Sequence, residues 1–146
     1  MNKQLMLVAD IEKKKEDQLA QKYAQATQDL TQQHEKLAGL EKYQRDYMNT
    51  VIESGKQGLS SSGFQRLQSF ITQLDKACHQ QRDNIQKAEK VVDQRRALWL
   101  QQQRKRKSIE TVIERQRKIE QLRLDREEQK MFDEYATNQA TRRLQG

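Results

Sequence analysis

Apolar residues in the first third of the chain recur in alternating steps of four and three: Leu19, Tyr23, Ala26, Leu30, Leu37, Leu40, Tyr47 and Val51, with Gln33 and Gln44 at the two polar steps. That spacing is a heptad seam, the mark of a helix that buries one narrow stripe against another helix. The same register runs back, more weakly, through Glu16, Glu12 and Ala9 to Leu5. It stops at Ser54-Gly55-Lys56-Gln57-Gly58-Leu59-Ser60-Ser61-Ser62-Gly63, a cluster of flexible and capping residues. A second seam follows in unbroken four-three steps: Leu67, Ile71, Leu74, Cys78, Gln81, Ile85, Ala88, Val92, Arg95, Trp99, Gln102, Arg106, Ile109, Ile113. The pattern predicts an all-α fold: a two-helix antiparallel coiled coil, closed as a hairpin, within a single domain over 1–146. Its helices should cover about 2–53 and about 64–140, with a loop at 54–63 in which Ser62 and Gln65 form a capping box for the second helix.

If the helices pair antiparallel, the seams stay in register when residue numbers across a layer total about 118. Leu40 then lies against Cys78, Leu30 against Ala88, Leu19 against Trp99 and Leu5 against Ile113. Glu12 faces Arg106 as an ion pair and Tyr23 faces Arg95 as a cation–π contact. Layers such as Gln33 with Ile85 and Glu16 with Gln102 are half polar, so stability should be modest. The second helix is the longer. Past Ile113 it should overhang by roughly 25 residues, on the order of 40 Å, as a single helix carrying Met131, Phe132 and Tyr135.

Composition narrows the class. Hydrophobic residues make up 34% of the chain and charged residues another 34%, too dilute for a thick core, and proline is absent. A lone cysteine, Cys78, cannot form an intramolecular disulfide, and neither it nor His34 and His79 has metal-ligand spacing around it. The sequence holds no phosphate-binding glycine loop and no nucleophile elbow, so no catalytic residue, metal or cofactor is expected. With no secretory signal and no long apolar run, a soluble cytoplasmic protein is expected.

Two features point to partners. The heptad labels make Tyr43, Phe70 and Ala77 g residues, and the g edges of an antiparallel pair share one side, so the three widen the seam near the loop into an apolar face. Tyrosine and phenylalanine are frequent interface anchors. The net charge of +7 resides in Arg95 to Lys118, the rest of the chain being neutral. Its centre, Arg104-Lys105-Arg106-Lys107, forms a basic collar suited to an acidic protein partner; nucleic acid is less favoured because no aromatic residues interleave the cations.

Three stretches, Tyr43-Gln44-Arg45-Asp46-Tyr47, Gln68-Ser69-Phe70-Ile71-Thr72-Gln73-Leu74-Asp75-Lys76-Ala77 and Gln129-Lys130-Met131-Phe132-Asp133-Glu134-Tyr135-Ala136, resemble the FliJ family of flagellar export proteins. The resemblance implies a non-enzymatic component of the type III export machine, cytoplasmic and peripheral to the inner membrane, similar in shape to the γ stalk of F-type ATPases. It implies three partners: the export ATPase FliI, whose ring receives the end carrying the termini, the cytoplasmic domain of the export gate FlhA, and export chaperones. Carried over by position, the gate-contacting face falls on Leu40, Tyr43, Tyr47, Phe70, Leu74 and Ala77, with Lys36 and Gln81 departing from the family's pattern at its edge. The ring contact would fall on Arg104, Lys105, Arg106, Lys107, Met131, Phe132 and Tyr135. A basic adaptor for nucleic acid or other polyanions, and the equivalent stalk of a virulence secretion system, are the alternatives.

Overall fold

The computed structural model describes residues 2–145, and these form two helices, α1 (Asn2–Lys56) and α2 (Ser61–Gln145), with no strand among them. The absence of proline and a supply of Gln, Lys, Arg, Glu, Leu and Ala keep both helices unbroken. Threonines inside them, such as Thr27, Thr50 and Thr72, donate their hydroxyls to the carbonyl one turn earlier, which satisfies the side chain without leaving the helix.

The connection is shorter than the ten-residue loop expected from composition. Helix α1 continues through Ser54, Gly55 and Lys56 and closes with tight bonds from Gln57 N to the Ser54 carbonyl (3.2 Å) and Gly58 N to the Gly55 carbonyl (3.3 Å). Gly58 then takes φ = +87°, a left-handed conformation that turns the chain out of the helix and that only glycine adopts freely. Helix α2 begins earlier than expected because Ser60, not Ser62, is its cap: the Gly63 amide donates to Ser60 Oγ (3.1 Å) and the Phe64 amide to the Ser60 carbonyl (3.0 Å). The expected box is therefore half made, since the residue that would reciprocate is Gly63, which has no side chain.

The chain divides into two compact units. In the unit spanning 17–101, the two helices pack antiparallel on either side of the turn. Every seam position named from the sequence within it is half-buried or buried, and the deepest are Leu74, Cys78, Gln81, Ile85 and Ala88. The other unit joins residues up to 16 with those from 102 onward. Here Leu5, Ala9, Glu12 and Glu16 pack against Gln102, Arg106, Ile109 and Ile113, all at least half-buried, whereas each residue from Arg117 to Gln145 is exposed.

The pairing across the seam differs from a flat-layer reading by one helical turn in both directions. Tyr23 stacks on Trp99 (centroids 5.6 Å apart, planes 9° apart) instead of facing Arg95. Arg106 binds Glu16 instead of Glu12. Side chains lean toward the N-terminus of their own helix, so in an antiparallel pair long side chains meet beyond the level of their Cα atoms. Carbonyl groups lean the opposite way. In that direction Gln81 Nε2 reaches the Gln33 carbonyl (2.9 Å) and Gln102 Nε2 the Glu12 carbonyl (3.0 Å), and each amide also donates to the side-chain oxygen of the same residue, at 2.7 Å for Gln33 Oε1. Each such carbonyl has a second lone pair beside the one used by its helix, so the polar layers are satisfied without breaking the backbone ladder.

Candidate interaction surfaces

Near the turn, Tyr43, Tyr47 and Phe70 form one aromatic cluster. Phe70 meets Tyr47 at 4.5 Å in a tilted arrangement and Tyr43 at 6.2 Å edge-on. These are the separations and angles at which ring quadrupoles attract. Heptad geometry explains the grouping: Tyr47 is a seam residue, while Tyr43 and Phe70 come from the two g edges that an antiparallel pair brings to one side. The six residues assigned to this face are not equivalent. Leu74 is buried, Leu40, Tyr47, Phe70 and Ala77 are half-buried, and Tyr43 is 53% exposed. Tyr43 is therefore the member of this face presented to solvent, and the others set its position.

The opposite edge of the same unit is polar. Gln44 spans to Asp75 through its amide nitrogen and accepts from the Cys78 thiol at 3.7 Å, and Arg82 pairs with Glu41 at 3.4 Å. One edge of the hairpin near the turn is thus aromatic and the other polar.

The basic collar is not the uniform ring of charge that its sequence suggests. Arg106 turns into the seam, where Glu16 binds its Nε and Nη2 and Glu110 its Nη1 at 2.8 Å. These carboxylates, Glu16 foremost, hold the Arg106 pKa above its usual value. Lys105 lies 3.6 Å from Glu12 and Lys15 lies 3.5 Å from it. The hydrogen bond from Gln102, aided by these two lysines and opposed by burial, pushes the Glu12 carboxyl below the ordinary carboxylate range. Arg104 and Lys107 remain exposed and enter no ion pair among the described residues.

Along the single-helix part of α2, Met131, Phe132 and Tyr135 are 62–71% exposed. Their separations place them on one broad face, with Leu124 two to three turns earlier on the same side. The seam register itself turns polar here: Arg123 is gripped by Glu120 (2.6 Å) and Glu127 (2.8 Å), spacings that support an isolated helix. Arg123 lowers the pKa of Glu120 in return.

Two exposed apolar groups escape a reading based on the seam alone. Met6, Leu7, Val8 and Ile11 make the first turns of α1 apolar on its outer side as well as its inner one, and Met48, Ile52, Leu59 and Phe64 surround the turn. Counting apolar residues off the seam, instead of only along it, would have found both. No group of three or more metal-binding side chains lies together among the described residues, and no described helix is long and apolar enough to cross a membrane.

Comparison with known proteins covers nearly the whole length of the chain. The family model described as "Flagellar FliJ protein" matches residues 1–145. Two curated relatives, the flagellar FliJ proteins of Escherichia coli (strain K12) and Salmonella typhi, are each 27% identical over 139 residues, covering 95% of this chain and 95% of theirs. No solved structure matches.

Proposed function

Because the chain belongs to the flagellar FliJ family, a component of the flagellar export apparatus, we propose that it acts without catalysis of its own, as a docking element between the export gate and the export ATPase. The aromatic face around Tyr43 docks on the cytoplasmic domain of the gate FlhA. The stretch carrying Arg104 to Lys107 and the exposed Met131, Phe132 and Tyr135 engages the ATPase FliI and promotes its assembly, and export chaperones are handed on through the same complex. Such a role keeps the protein in the cytoplasm, peripheral to the inner-membrane apparatus through its partners.

The observation that carries this reading is the Tyr43–Phe70–Tyr47 cluster, a group of three rings in which one is presented to solvent by two that pack behind it. A solvated coiled coil has no need to present an aromatic ring in this way, whereas interface anchors have this character. The flagellar match supports a flagellar setting over a virulence one.

Tyr43→Ala combined with Phe70→Ala should abolish capture of the gate's cytoplasmic domain and motility in soft agar, each truncation costing about 2 kcal/mol or more of binding. Helical content by circular dichroism should stay nearly constant. Unchanged gate capture would remove the aromatic face from the interface, and a collapse in helicity would assign both residues to the fold.

A further inference from the structure

The four consecutive cations are spent unequally. Two are open: Arg104 and Lys107. The other two are already engaged by carboxylates of α1, Lys105 by Glu12 at 3.6 Å and Arg106 by Glu16 through two guanidinium nitrogens, which leaves the Arg106 side chain 14% exposed. Glu12 and Glu16 are themselves buried, at 5% and 4% exposure. The first turns of α1 thus deliver two acids into the middle of the segment that holds the molecule's whole net positive charge.

A carboxylate gripped by arginine and lysine is the same chemistry an acidic protein surface would use to bind that segment. The layers concerned, Glu12, Glu16, Gln102 and Arg106, are polar where the rest of the seam is largely apolar, so exchanging an internal carboxylate for an external one costs little burial. We infer that residues 2–16 are an internal competitor: Glu12 and Glu16 occupy Lys105 and Arg106 in the free protein, and an acidic partner surface that takes these cations displaces this part of α1 from α2. Displacement uncovers the half-buried Leu5, Ala9, Ile109 and Ile113, adding apolar surface beside the newly freed cations. Together with the already exposed Leu7, Val8 and Ile11, the released turns would be apolar on most sides. The deeply buried layers from Leu74 to Ala88 belong to the other unit and need not open.

The inference rests on reading the basic stretch as a partner contact, but its test uses the purified full chain and a synthetic probe, so it succeeds or fails independently of ATPase docking. Fluorescein-labelled poly-L-glutamate is titrated by anisotropy at low ionic strength, and hydrogen exchange is followed at residues 3–16 and 74–88 with and without the unlabelled polymer. Poly-L-glutamate should accelerate exchange at residues 3–16 and leave residues 74–88 protected. Glu12→Gln with Glu16→Gln should bind the polymer about fivefold more tightly than the native chain, the worth of one partly exposed ion pair. A variant with the same change in net charge, Glu35→Gln with Glu89→Gln, should gain much less. Lys105→Gln, at a side chain 60% exposed and so tolerant of change, should weaken binding in the Glu12→Gln, Glu16→Gln background and hardly alter it in the native chain. Equal gains in the two double variants would reduce the effect to bulk charge and overturn the inference. So would tight polymer binding with exchange at residues 3–16 unchanged, because the polymer would then use cations that are already open, Arg104 and Lys107 among them.

Discussion

Glu12 surrenders its charge less readily than an ordinary glutamate, because the Gln102 amide donates to its carboxylate and Lys105 and Lys15 stand close by. The folded chain therefore keeps Glu12 ionised to lower pH than the unfolded chain does. Its contribution to stability is present above the unfolded glutamate range, about 4.3, and is lost as pH falls through the lower folded value. Acidification from about pH 6 to about pH 3 should raise the fraction of time residues 3–16 stand open, read as hydrogen exchange relative to the intrinsic rate at each pH, more in the native chain than in Glu12→Gln, whose amide does not titrate. Equal rises would mean that acid acts there through other groups. The two seam glutamines of α2 pose a different question, since Gln81 and Gln102 lie three heptads apart and so do their acceptors Gln33 and Glu12. Slipping the helices by one heptad would set these amides against apolar residues, at the cost of an unsatisfied buried donor. Gln81→Leu with Gln33→Leu should consequently raise the melting temperature while relaxing register. In a Cys78→Ala background, disulfide trapping should then find Leu37→Cys with Ala88→Cys as well as Leu30→Cys with Ala88→Cys, whereas the native polar layer should permit only the second pair.

At the scale of the elements, the two glycines around the end of α1 ask for opposite treatment. Gly58 sits at φ = +87°, so Gly58→Ala is strained even though a methyl group there would meet nothing. It should cost about 1 kcal/mol in urea denaturation. Gly55 lies within the last turn of α1 with open space around it, and Gly55→Ala should stabilise by up to about 1 kcal/mol through lower unfolded-state entropy and better helix propensity. The same segment shows what sequence could and could not supply. Heptad spacing located every seam position from Leu5 to Ile113, because a repeat of 3.5 residues is a property of the sequence itself. Partner identity across the seam was legible only to within a turn, since it depends on the lean of side chains and carbonyls in three dimensions, as Tyr23 on Trp99 illustrates. Sequence spacing puts the cap at Ser62, two residues late, because three successive serines carry the same side chain and only the backbone path selects Ser60. Of the aromatic face, the g-edge labels brought Tyr43 and Phe70 together correctly, but not the inequality of exposure that makes Tyr43 its outward member.

For the molecule as a whole, the seam ends where the register turns polar, and no described residue after Gln116 is even half-buried. A chain ending at Gln116 should therefore melt cooperatively within a few degrees of the full-length protein, since packing on a partner helix supplies most helical stability. The missing segment should itself account for the loss of ellipticity. Gate capture should survive this truncation and ATPase association should weaken, which would separate the two docking functions on one polypeptide. A truncated chain that still assembled the ATPase like the intact one would assign the segment after Gln116 no part in that contact.

Cys78 gives the molecule a clock of its own. Its thiol is 1% exposed at the centre of the hairpin, and the chain has no other cysteine. A thiol-reactive dye can reach it only during moments when the helices separate at that level, so the ratio of its labelling rate in the native chain to that in denaturant measures the fraction of time the hairpin stands open. No engineered probe is needed. Loading the gate's cytoplasmic domain onto the Tyr43 face should slow that labelling by as much as the bound partner favours the closed hairpin, turning an unmodified atom into a readout of how docking at one edge stiffens the layer beneath it.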